Sequence, residues 1–140
     1  MPFSLAHPTL LQEFYLVKAD IANDNLDVPS WIHIRYADQF AEEERNKTLR
    51  SVNWILHEET KIKYTMDLIA DEVWLQEVYY TLADSNLSEN DEEPLFRFEN
   101  NRLAMTEEEF LYAFYRLPME YVDEIIECVH EVNPRWKDGN

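Results

Sequence analysis

The sequence predicts a mainly α single domain over residues 1–140, a helical bundle of about five to six helices with room for one small β-hairpin near residues 95–105. Three observations predict it. Apolar residues recur at three- and four-residue intervals along most of the chain, the spacing of helices that bury one face. Four Trp, eight Tyr and seven Phe in 140 residues supply the large side chains a packed core needs. The single glycine, Gly139, lies in the tail. Internal turns must therefore rely on Asn, Asp, Ser and Pro.

Taken in order, Leu10, Phe14, Val17 and Ile21 predict a helix over roughly residues 5–23, ended by the Asn23–Asp27 cluster. In the next segment, to about Glu44, WIHIRY alternates like a strand while Tyr36, Ala37, Phe40 and Ala41 follow a helical stripe; the stripe favours helix. Asn46 caps a third helix carrying Leu49, Val52 and Leu56. A long helix over about 63–82, apolar on more than one side, is the expected central element. The stretch DSNLSENDEE, from Asp84, reads as a polar loop. In LFRFENNRLAM, Asn100 and Asn101 suit a left-handed turn, which places Phe98 against Leu103 and Glu99 against Arg102. Thr106 with Glu109 forms a capping box for a helix through Arg116, and Pro118 starts the last helix at its first position. The expected core includes Leu10, Phe14, Val52, Leu56, Val73, Phe110, Phe114, Val122 and Ile126.

A net charge of −17 disfavours binding to nucleic acid or to an anionic membrane, since both carry the same sign, and makes a basic protein the natural partner. Residues 1–70 hold seven basic and eleven acidic side chains, whereas residues 71–140 hold five and eighteen. The N-terminus has no basic n-region, and its apolar run is broken by Glu13 and Lys18, so neither a secretion signal nor a membrane span is expected. With the lone Cys128, this points to the cytoplasm.

Chemical motifs are sparse. Glu127 and His130 have the E-x-x-H spacing of di-metal bundles, but a second such pair is missing. Asp84, Asn86 and Ser88 match the start of a calcium loop, with Glu89 where its glycine belongs and Leu95 where its last carboxylate belongs. Cys128 and His130, two apart on a helix, point to different sides. Neither cofactor nor metal is expected, and no catalytic residue is assigned. The strongest signal is uncompensated acid. Asp67, Asp71, Glu72 and Glu77 flank the adjacent Tyr79 and Tyr80, and Glu120, Glu124, Glu127 and Glu131 form a continuous stripe on the last helix. Like charges at that spacing weaken a helix.

These residues predict a small acidic binding protein that inhibits a basic nuclease or another nucleic-acid-binding enzyme, as an immunity protein against a toxin or as an anti-defence nucleic-acid mimic. Its carboxylates would attract the partner and Tyr79 and Tyr80 would anchor it. The alternative is a structural or adaptor protein forming a permanent oligomer, with acidity serving solubility.

Overall fold

Ile32 and Ile34 are fully buried while Trp31, His33 and Arg35 between and around them are half-exposed, so the period of two in this segment prevails over the helical stripe that follows it. The structure, a computed structural model, describes residues 2–5, 10–58 and 73–136, except the side chains of residues 49–58. It shows a mixed α/β domain with two antiparallel sheets, which corrects the mainly α bundle expected from periodicity. The larger sheet has the order β1 (Leu11–Tyr15), β2 (Trp31–Arg35), β3 (Leu82–Ser85); the smaller is β4 (Phe98–Glu99) with β5 (Arg102–Leu103). The helices are α1 (Val17–Ala22), α2 (Gln39–Glu58), α3 (through residues 73–81), α4 (Glu107–Phe114) and α5 (Met119–Val132), followed by a 3-10 turn at Pro134–Trp136.

The predicted first helix divides into β1 and the short α1, because residues Leu11 to Tyr15 pair along their whole length with β2. Val17 and Ile21, expected to face inward, are 55% and 62% exposed, and Leu16 and Ala19 are buried in their place. α2 begins after Asp38, whose carboxylate accepts the Ala41 amide at 2.9 Å as a helix cap should, and it runs through Asn46 without a break. Leu82, the last residue of the expected long helix, instead opens β3, and Asp84 and Ser85, expected to begin the polar loop, complete it; β3 follows α3 directly and pairs with β2 across a bulge at Ala83. Residues 63–72 of that expected helix lie outside the described residues, as do the side chains of Val52 and Leu56.

The local signals hold. Phe98 pairs with Leu103 and Glu99 with Arg102, with Asn100 and Asn101 at φ 53° and 60°. Together with Asp24 at 55°, these are the described left-handed residues. Asn and Asp thus take the role glycine usually has. Thr106 and Glu109 form the reciprocal capping box of α4. Pro118 stands at the cap of α5, one position before its expected place.

α5 lies against β2 and α1, and its residues Tyr121, Ile125, Cys128, Val129 and Val132 enter the core with Ile32, Ile34, Phe96, Phe110 and Phe114. The rings of Phe110 and Phe114 stack at 5.2 Å, each burial contributing roughly 1.5–3 kcal/mol. Val73 is buried as expected, and Phe14, Val122 and Ile126 pack half-buried against the core. Among the described residues, no helix is long and apolar enough to cross a membrane.

Candidate functional site

The acidic stripe of α5 is largely engaged within the molecule. α1 begins at Val17 behind Leu16, which has no side chain to cap it. Glu124 supplies the missing acceptor from α5, taking the Ala19 amide at 2.9 Å, and its charge lies at the positive end of the helix. Beside it Glu127 pairs with Lys18 at 3.1 Å, and Glu120 accepts from Asn23 at 3.1 Å. Among the described residues Glu131 makes no hydrogen bond or ion pair; it is exposed.

The same junction holds a buried carboxylate. Asp20 accepts from the Ser30 amide (2.8 Å), the Ser30 hydroxyl (2.7 Å), Asn25 (2.9 Å) and the Tyr121 hydroxyl (2.7 Å). Burial pushes the Asp20 carboxyl up, but these donors together hold it below its ordinary value. The cradle fixes α1, the turn after it and α5 as one unit.

Glu77 lies inside the protein. Its carboxylate takes Arg45 Nε at 2.6 Å and His130 Nε2 at 2.7 Å, with Arg45 over the Trp136 ring at 5.2 Å and Trp74 edge-on to His130 at 6.3 Å. Four elements meet there, and both carboxylate oxygens are committed. The cluster is a structural lock. Glu127 and His130, the E-x-x-H pair, thus serve different neighbours, and among the described residues no three His, Cys, Asp or Glu side chains stand where they could hold a metal. Burial pushes the Cys128 thiol up to about 12, reinforced by Glu124, Glu131 and Glu127, so it stays protonated.

Tyr79 and Tyr80 are half-buried. Tyr79 donates to the Met105 carbonyl at 2.9 Å and rests on Phe110, while Tyr80 meets Phe40 edge-on at 5.6 Å. Burial, then Glu44 and Glu107, push the Tyr80 phenol up to about 12. Asp67, Asp71 and Glu72 lie outside the described residues.

The exposed aromatic and acidic face is on α4. Glu108, Tyr112 and Tyr115 recur at i, i+4 and i+7 opposite the buried Phe110 and Phe114, and the two tyrosines are 69% and 70% exposed. That spacing was readable from the sequence. Arg116 lies over the Tyr112 ring at 4.6 Å and grips Glu89 with two bonds of 2.5 and 2.6 Å. This joins α4 to the 88–94 loop, which is closed by the Ser88–Pro94 bridge and a Glu89 amide to Glu93 carbonyl bond of 2.8 Å. Within it Asn90 accepts the amides of Glu92 and Glu93, leaving Asp91, Glu92 and Glu93 displayed to solvent. On α4 itself, Glu107 bonds Gln76, and Glu109 is held at about 2 by the Thr106 amide and Arg97. Residues 89–93 and 107–116 together carry seven carboxylates and one arginine. No protein-family model, curated protein or solved structure matches the chain.

Proposed function

We propose that this protein binds and blocks a basic protein, a nuclease or another nucleic-acid-binding enzyme, and that α4 with the 88–94 loop is the contact face. The observation that carries this reading is the pair of tyrosines, Tyr112 and Tyr115, standing exposed on the helix that carries Glu108 and braced through Arg116 to a loop that displays Asp91, Glu92 and Glu93. Exposed rings of this kind are the residues that anchor interfaces, since they offer large area with few rotamers to lose. The surrounding acid speeds encounter with a cationic cleft, and its displayed carboxylates can occupy phosphate positions there. The Arg116–Glu89 grip keeps the loop oriented, which lowers the ordering cost of binding.

The test is affinity capture with the intact chain, followed by association kinetics and nuclease assay of the recovered protein. A basic partner whose activity is blocked at equimolar chain, with an on-rate that falls steeply with salt, is expected. The Tyr112→Ala/Tyr115→Ala variant should raise its dissociation rate at least tenfold, corresponding to about 1.4 kcal/mol. A partner that binds both forms equally, or remains active when saturated, refutes the proposal. The oligomer alternative draws on the exposed Val17 and Ile21 of α1. Sedimentation as a monomer in high salt, where charge repulsion is screened, would dismiss it.

A further inference from the structure

β1 is an outer strand of the three-stranded sheet, and no described residue pairs with its free side. Antiparallel pairing alternates residues that bond to the neighbour with residues that bond away from it. Leu16 donates to the Ser30 carbonyl at 2.8 Å and Tyr36 donates to the Leu10 carbonyl at 2.9 Å, which fixes the even-numbered residues as those facing β2. Leu11, Glu13 and Tyr15 therefore direct their amides and carbonyls outward, and no described residue bonds to them. The other outer strand, β3, has β5 lying against it.

Outer strands are usually blunted by proline, lysine, a bulge or a cover. β1 has no proline or lysine, and its pairing with β2 is regular. It carries one charge, at its centre: Glu13, half-exposed and paired with His33 at 2.8 Å on the sheet's outer face. Leu11 and Tyr15 flank it on that face, with Tyr15 opposite Trp31. We infer that β1 takes up an extended segment of another protein as a fourth strand, one that places Lys or Arg opposite Glu13 and apolar residues opposite Leu11 and Tyr15. A second copy is a poor occupant. Full antiparallel overlap of two β1 strands would set Glu13 against Glu13, and each chain carries a net charge of −17. This surface is built from other residues than the α4 face, and its test needs no partner of that face.

The probe is a capped Thr-Val-Thr-Lys-Thr-Val-Thr peptide added to the isotope-labelled full chain, with amide exchange read residue by residue. The expected result is slowed exchange at Leu11, Glu13 and Tyr15, with Gln12 and Phe14 unchanged because β2 already holds them. Exchanging the central Lys of the peptide for Glu should weaken binding about three- to tenfold, the worth of a cross-strand charge pair, and Glu13→Lys in the protein should reverse that order. The inference is overturned if millimolar peptide leaves the three amides unprotected, or if the central charge makes no difference. Concentration-dependent protection in the chain alone would assign the edge to a second copy and overturn it too.

Discussion

Replacing Asp20 should unfasten the junction of α1 and α5. Asp20→Ala removes both acceptor oxygens and leaves the Ser30 amide, the Ser30 hydroxyl and the Tyr121 hydroxyl facing a void, in residues less than a tenth exposed. A buried donor without a partner costs about 1–3 kcal/mol; the hydroxyls can turn elsewhere while the amide cannot, so the sum is about 3–5 kcal/mol. A domain of this kind has about 5–15 kcal/mol in all. Asp20→Asn keeps the shape and one oxygen but turns an NH2 toward a donor, for about 2 kcal/mol. Urea unfolding followed by circular dichroism and tryptophan fluorescence should give that order with unchanged slopes. Tyr121→Phe should cost about 1 kcal/mol in the natural chain and nothing beside Asp20→Ala. An Asp20→Ala chain within about 0.5 kcal/mol of the natural one would refute the cradle as a source of stability, the range expected of an inert surface change.

Glu124→Ala should cost about 1 kcal/mol, or roughly 3 °C in melting temperature, by uncapping α1, whereas Glu131→Ala should change it by less than about 0.5 kcal/mol. Stability should fall as pH drops from about 5 toward 2: Asp20, Asp38 and Glu109 all lie below their ordinary values in the fold, so their contribution is present above the unfolded carboxyl value and lost as pH falls through the folded one. Urea midpoints across that range measure it. Tyr112→Ala/Tyr115→Ala should melt within about 2 °C of the natural chain, because both rings are mostly in water.

What the sequence disclosed was local. The Asn100–Asn101 turn and the Thr106–Glu109 capping box are complete within a few residues, and both stand in the structure as read. The sheet depends on partners that periodicity cannot see: β2 pairs on one side with residues about twenty before it and on the other with residues about fifty after it. Leu10, Phe14, Val17 and Ile21 fit a helix well until pairing with β2 divides them. The acidic row was legible as a row, but its use was not, because nothing near Glu124 in the chain announces an uncapped α1 over a hundred residues away. Adjacency of Tyr79 and Tyr80 carries no information about exposure, and both are half-buried, while the spacing of Glu108, Tyr112 and Tyr115 opposite Phe110 and Phe114 marks an exposed face.

The cradle around Asp20 also sets a schedule for synthesis. Ser30 and Asn25 follow within ten residues, but Tyr121 and Glu124, which complete the cradle and cap α1, come 101 and 105 residues after their partners. At about 5–20 residues per second, the β1–α1–β2 segment waits roughly 5–20 s on the ribosome with the Ala19 amide unsatisfied by protein. During that interval the open strand and the bare flank of α1 are available to chaperones or to neighbouring nascent chains. A pause in translation before α5 would lengthen this exposure, and faster passage through the last third of the message would shorten it.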